Sequence, residues 1–169
     1  MNILKIITLF LLGTLLTGQQ TSDAIVDSTL YDFWIGDWDL KWITESGDTI
    51  LGNNIVERIL NNHVIKENFS IISGPNAGFE GKSYSVFNKR RKTWYQTWVD
   101  NSGAYLDFNG ETQGNTRIFK REIVNPDGSP LYQRMMFYSI DNNSFTWDWQ
   151  KSKDGETWIL LWRIIYSRK

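Results

Sequence analysis

The sequence predicts an all-β domain in which an antiparallel meander of about ten short strands closes into a barrel. From residue 37 onward, apolar and polar residues alternate with the period of two that is typical of strands. Short turns separate these segments and leave no room for crossover helices, so neighbouring strands must be antiparallel. An open sheet of this size would expose its edges, which favours closure; a β-sandwich is the alternative architecture.

The composition is that of a near-neutral, aromatic-rich chain of 169 residues without cysteine. With 18 Lys+Arg against 19 Asp+Glu, the chain lacks the positive field that a nucleic-acid partner needs. The lack of cysteine excludes disulfides and thiolate sites, and the single histidine, His63, excludes sites built on two imidazoles. We therefore predict neither a metal nor a cofactor. The nine Trp, seven Tyr and nine Phe indicate either a packed aromatic core or a site for an apolar ligand.

Residues 1–24 are predicted to be a signal peptide. Lys5 precedes an uncharged apolar run over residues 6–16, which suits a signal-peptide core and is too short to cross a bilayer as a helix. Cleavage is expected after Ala24. The remaining residues, 25–169, would form one exported domain, periplasmic or secreted, without a membrane span.

The first half of the domain shows the pattern of strands joined by tight turns. A short helical turn over residues 29–36 is expected to plug one end of the barrel. Glu45-Ser46-Gly47-Asp48 and Asn61-Asn62-His63 are turn sequences, because Gly and Asn tolerate the backbone angles that turns require. The alternating segments around these turns and the next loop predict strands over residues 38–44, 50–60, 64–72, 82–87 and 93–99.

The second half continues the same pattern. All three prolines fall in loops, where the missing N–H group costs no ladder hydrogen bond. The basic run Lys89-Arg90-Arg91-Lys92 and His63 both fall in turns and are interpreted as surface residues. The remaining strands are predicted over residues 104–110, 116–123, 131–140, 144–151 and 158–167.

Three sequence motifs suggest a family. They are D-F-W-I-G-D-W at residues 32–38, W-Y-Q-T-W-V-D at 94–100, and S-K-D-G-E-T-W at 152–158. Together they resemble a family of bacterial lipocalin-like, calycin-type barrel proteins to which no reaction is assigned. The first motif contains the G-x-W element that opens the first strand of lipocalins. The resemblance covers residues 30–168 and implies the fold more than an activity.

In calycins, a basic side chain of the last strand commonly packs over the G-x-W tryptophan. The resemblance therefore implies a structural clamp on Trp38, with Arg168 and Arg163 as candidates. Arg168 is favoured because it lies near the end of the chain, where the barrel must close. By the period-two rule, Arg168 shares a face with Trp158, Leu160, Trp162, Ile164 and Tyr166.

Candidate ligand-binding residues come from aromatic and polar side chains within strands. Trp94-x-Gln96-x-Trp98 offers two flat walls and one amide on the same face, and we add Trp147 and Arg134 as lining residues. Glu57, Glu67 and Tyr84 also need partners if they point inward. Glu57 and Glu67, on strands joined by one turn, would form a paired-carboxylate site if they faced each other.

Three functions remain open. An exported barrel that binds a small apolar or aromatic molecule fits best, since a barrel of this size encloses a lumen. An enzyme, such as a hydrolase or isomerase acting in the lumen, would need a titratable group with a perturbed pKa beside a cavity. A structural or interaction protein would have a solid core and an exposed apolar patch.

Overall fold

The computed structural model describes residues 28–169, and the predicted signal peptide lies outside them. It is a closed antiparallel barrel in which every strand pairs with its sequence neighbours and the last strand pairs with the first. The predicted closed meander is confirmed, and the β-sandwich alternative is wrong. The ten strands are β1 Gly36–Ile43, β2 Thr49–Ile59, β3 Val64–Ile71, β4 Glu80–Asn88, β5 Thr93–Asp100, β6 Tyr105–Gln113, β7 Thr116–Val124, β8 Pro130–Tyr138, β9 Ser144–Ser152 and β10 Ile159–Arg168.

The two ends of the barrel differ. The loops that follow β1, β3, β5, β7 and β9 lie at one end, here called the open end. A single-turn 3-10 helix, Asp32–Trp34, precedes β1 and lies at the opposite, closed end. Among residues 28–169, no helix is both long enough and apolar enough to span a bilayer.

Aromatic side chains fill the closed end. Tyr31 and Trp34, from the helical turn, are buried. The Tyr31 ring stacks on Phe119 with a centroid distance of 4.4 Å, and Trp34 meets Phe137 edge-on at 5.2 Å. Burial of this turn places a plug across one end of the lumen, so only the opposite end is left as an entrance.

Arg168 fixes this plug to the last strand. Its guanidinium lies 4.2 Å from the ring centroid of Trp38. It donates hydrogen bonds to the carbonyl oxygens of Phe33 (3.2 Å), Ile35 (2.9 Å) and Asn142 (2.7 Å). A Cβ on Gly36 would lie 2.2 Å from Arg168 Nη1, and Gly36 has a φ of +149°. The glycine of G-x-W thus makes room for the guanidinium.

The prediction of which β10 residues share one face is wrong at the start of the strand. A register shift between Leu160 and Trp162, where β10 pairs with β9, breaks the alternation. Ile164 and Tyr166 are buried, whereas Leu160 is 45% exposed. Because of this bulge, Leu160 does not share the inward face of Trp162.

Candidate functional site

The candidate site is an aromatic-walled cavity in the lumen. Its volume is about 170 Å³. Phe79, Trp149 and Trp162 also line a wider depression among the open-end loops, so the cavity lies directly beneath the entrance. The cavity is lined by Trp34, Glu67, Phe69, Phe79, Trp98, Leu106, Phe108, Met135, Trp147, Trp149, Trp162, Ile164 and Tyr166.

Most of this wall results from strand alternation. On β5, β6 and β9, every second residue points inward, which places Trp98, Leu106, Phe108, Trp147 and Trp149 around the lumen. Edge-to-face contacts hold several rings in place, including Trp147 on Trp162 (5.6 Å) and Phe108 on Trp149 (5.9 Å). The wall is therefore a set of mutually oriented rings.

Glu67 is the acidic group of the cavity. Its side chain, on β3, is buried. Asn54 Nδ2 donates to Glu67 Oε1 at 2.7 Å, and Ser83 Oγ donates to Oε2 at 2.6 Å. Asn54 Nδ2 also donates to the hydroxyl of Tyr166 at 3.2 Å. The carboxyl group is thus held by two neighbouring strands, and its orientation is fixed.

Burial perturbs the titration of this cluster. Desolvation raises the pKa of Glu67 to about 7, against the opposing effect of the hydrogen bonds from Ser83 and Asn54. Burial also raises the pKa of Tyr166 well above its ordinary value. Near neutral pH the lumen therefore holds a carboxyl group that can exist in either state beside a neutral phenol.

Several buried polar atoms of this region have no partner. Trp34 Nε1 and Trp162 Nε1 belong to residues of the cavity wall, and neither N–H group is hydrogen-bonded. Asn54 Oδ1 and Gln96 Oε1, in the adjoining polar cluster, also lack partners. Buried polar groups are normally satisfied, so the two indole N–H groups, which belong to wall residues, are available as donors, whereas Asn54 and Gln96 lie outside the lining.

Two of the five predicted ligand-binding residues line the cavity. Trp98 and Trp147 form part of its wall. Trp94 is fully buried and meets Tyr31 edge-on at 5.1 Å in the closed-end core. Gln96 points inward, but its Nε2 donates to Ser85 Oγ at 3.0 Å and it does not line the cavity. Of the three residues of the predicted Trp-Gln-Trp wall, only Trp98 lines the cavity.

The placement of Arg134 in the lumen is wrong. Its neighbours on β8, Met135 and Phe137, point inward, so Arg134 lies on the outer surface. There its guanidinium lies 3.8 Å from the ring centroid of Trp158, and Nε donates to Gln150 Oε1 at 2.8 Å.

The paired-carboxylate site is also wrong. In the register of β2 and β3, Glu57 lies opposite Lys66, whereas Glu67 lies opposite Val56, the residue before Glu57. Glu57 therefore points outward, where Lys66 Nζ donates to its Oε1 at 2.9 Å. Tyr84 is likewise on the outside and 42% exposed.

The other clamp candidate, Arg163, is on the outside too. Its Nε and Nη2 donate to the two carboxylate oxygens of Asp148 at 2.7 and 2.8 Å. His63 and the run of residues 89–92 are exposed at closed-end turns. Neither belongs to the cavity.

Arg121 is an interior cation that sequence reasoning missed. It shares the inward face of β7 with Phe119, and its guanidinium lies 5.7 Å from the ring centroid of Phe108. Its Nε and Nη1 are buried without a hydrogen-bond partner. Arg121 lies two residues from Phe119 on β7, so the period of two would have revealed its inward position once Phe119 was assigned to the core.

Comparison with known proteins does not assign the chain to a family. A scan against protein-family models gives no match, and no curated protein matches its sequence significantly.

Proposed function

We propose that the protein is an exported lipocalin-like barrel that binds a small aromatic molecule in its lumen. The observation that carries the proposal is the cavity of about 170 Å³, whose lining is mostly aromatic and includes two tryptophans with unpartnered indole N–H groups. Apolar ligand sites commonly combine such walls with a few oriented polar groups. The resemblance of the opening motif to G-x-W supports the lipocalin-like fold in this proposal.

The cavity volume limits the size of the ligand. An apolar cavity of roughly 150 Å³ is enough to hold benzene. The lumen therefore suits one aromatic ring with a small substituent. Binding would derive mainly from apolar surface removed from water, at about 25 cal/mol per Å² before the cost of immobilising the ligand.

Native mass spectrometry of the purified protein is the first test. A mass excess that disappears on denaturation would identify a retained ligand. A titration with benzyl alcohol, followed by tryptophan fluorescence, then measures binding directly, because five tryptophans line the cavity.

Leu106→Phe should reduce benzyl alcohol binding at least about tenfold, since the added ring occupies lumen volume. Val86→Phe is the matched control, because Val86 is 39% exposed on the outer surface. Bare protein mass together with no binding by the unmodified protein would refute the proposal and favour a structural or interaction role.

A second candidate function is proton-transfer catalysis. The observation that favours it is Glu67, a cavity carboxyl group whose pKa is raised to about 7 by burial. Benzisoxazole is a suitable probe, because its ring opens when a base removes the ring proton and the N–O bond breaks to give a cyanophenolate. A rate above background that is lost in Glu67→Gln would support an enzyme; a rate equal to background would argue against it.

A further inference from the structure

We infer that the lumen selects a cationic ligand, a protonated amine carried on a single aromatic ring, and that its ammonium group pairs with Glu67. The inference rests on the proposed function and deepens it by naming the ligand class. Three features carry it: the hydrogen bonding of Glu67, the lack of a counter-charge, and the rings around it.

The hydrogen bonds to Glu67 suit its ionised form. Both carboxyl oxygens accept a hydrogen bond, one from Asn54 and one from Ser83. A carboxylate accepts at both oxygens, whereas a neutral carboxylic acid must also donate one. Each oxygen keeps acceptor capacity, and Glu67 belongs to the cavity wall, so an ammonium group in the lumen could approach it.

Among residues 28–169, no cation neutralises this carboxylate. In the part of the chain from residue 28 onward, none of the ion pairs includes Glu67. Of the inward arginines, Arg58, Arg117 and Arg168 bond to carbonyl oxygens at the closed end. The fourth, Arg121, faces the ring of Phe108. A buried charge without a partner is costly, and a ligand cation would remove that cost.

The surrounding rings favour a cation over other charged ligands. Phe69, Trp98 and Trp162 meet edge-to-face beside one another in the same cavity as Glu67, at centroid distances of 5.9 and 5.8 Å. The face of an aromatic ring attracts a cation, and this attraction grows when water is excluded. A carboxylate in a cavity lined mostly by aromatic rings is thus complementary to an arylalkyl ammonium ion.

Three probes of similar size test the charge preference: benzylamine, benzyl alcohol and benzoate. All carry one ring with a small substituent, and they differ in charge. Calorimetric titration at pH 8 should show benzylamine binding at least about tenfold more tightly than benzyl alcohol. The reason is that only the ammonium group can donate a charge-assisted hydrogen bond to Glu67 from a positive charge. Benzoate should bind most weakly.

Two variants that each remove one negative charge test whether Glu67 causes the preference for a cationic ligand. Glu67→Gln keeps the shape of the side chain, its amide can still meet Asn54 and Ser83, and it should erase the advantage of benzylamine over benzyl alcohol. Glu57→Gln makes the same charge change on the outer surface and should leave that advantage intact.

The unmodified protein offers a test that does not depend on a variant folding. The neighbours of Glu67 on β2, β4 and β10 are Asn54, Ser83 and Tyr166, and only Tyr166 is titratable. Benzylamine stays protonated over pH 5–8. Its affinity should therefore fall as the pH drops through about 7, while the affinity of benzyl alcohol should not change.

The outcomes separate the two proposals. Equal affinity for benzylamine and benzyl alcohol would overturn the cation preference and leave lumen binding in place. Tighter binding of benzoate than of benzylamine would overturn it as well. Binding of none of the three probes would refute the proposed function and, with it, this inference.

Discussion

Glu67 shows how one buried side chain links stability to function. Its carboxyl group is held by Asn54 and Ser83 but has no counter-ion among residues 28–169. Such a residue destabilises the empty barrel once it ionises, because its charge is removed from water without compensation. Residues that reduce stability in this way are typical of binding sites.

Glu67→Gln should remove a pH dependence from the stability of the protein. Burial raises the pKa of Glu67 from 4.5 to about 7, so between these values the folded state binds a proton that the unfolded state has released. The stability contribution of this group is therefore greatest below pH 4.5, declines as the pH rises to about 7, and is constant above it. The total decline is about 3 kcal/mol at most.

Urea denaturation at pH 5 and pH 8 measures this effect. Glu67→Gln should be more stable than the unmodified protein at pH 8 and close to it at pH 5. Glu57→Gln should keep the original pH dependence. An unchanged pH dependence in Glu67→Gln would show that Glu67 does not ionise within the barrel.

At the scale of elements, the positions of the strands can be predicted from the sequence, whereas the side of each strand that points into the lumen cannot. Alternation with turn sequences locates all ten strands, because a half-buried strand requires a period of two. The same pattern does not say which face is inward. The prediction that Arg134 lines the lumen fails because Met135 and Phe137 occupy that face, and the bulge before Trp162 breaks the alternation in β10.

The candidate site was predictable only in part for the same reason. Trp98 and Trp147 were identified by residue type, since large rings seldom face water. Glu67 is a candidate from the sequence, but its contacts with Asn54 and Ser83 depend on the register of three consecutive strands, β2 to β4. A polar cluster formed across strands leaves no local pattern in the sequence.

Gly81 is predicted to determine where Trp98 lies. A Cβ at Gly81 would lie 1.9 Å from Trp98 Cζ2, so Gly81→Ala must displace the ring and its hydrogen bond to Asp100. We expect a loss of about 1–3 kcal/mol in the free energy of unfolding and weaker ligand binding. Trp98→Phe removes the clashing atoms, so the double variant should lose less than the sum of the single variants. Additive losses would contradict this coupling.

Arg168→Ala tests the clamp between the helical turn and β10. It removes three hydrogen bonds to backbone carbonyls and the contact with Trp38, which together should cost about 2–4 kcal/mol. Arg90→Ala, at an exposed turn, is the control and should change stability little. Equal denaturation midpoints for the two variants would show that Arg168 does not act as a clamp.

At the scale of the whole molecule, the two ends of the barrel have different roles. The closed end is packed with stacked and edge-on rings and is tied by Arg168. The other half of the lumen retains a cavity of about 170 Å³. Cavities in otherwise packed interiors reduce stability in proportion to their volume. The barrel therefore combines a rigid base with a cavity that packing alone would have filled.

Leu106→Phe should stabilise the empty protein and weaken ligand binding. The new ring would occupy part of the lumen and form contacts that the empty protein lacks, so the ligand-free variant should be more stable by about 1 kcal/mol, a rise in melting temperature of about 4 °C. The same change should reduce ligand binding, because the ring takes up lumen volume.

Saturating ligand should stabilise the unmodified protein by about 3 kcal/mol at a hundredfold excess over Kd, and the variant much less. Differential scanning calorimetry with and without benzylamine measures both effects, with Val86→Phe as the control. A variant that loses stability yet binds normally would mean that the cavity is not the site that the ligand fills.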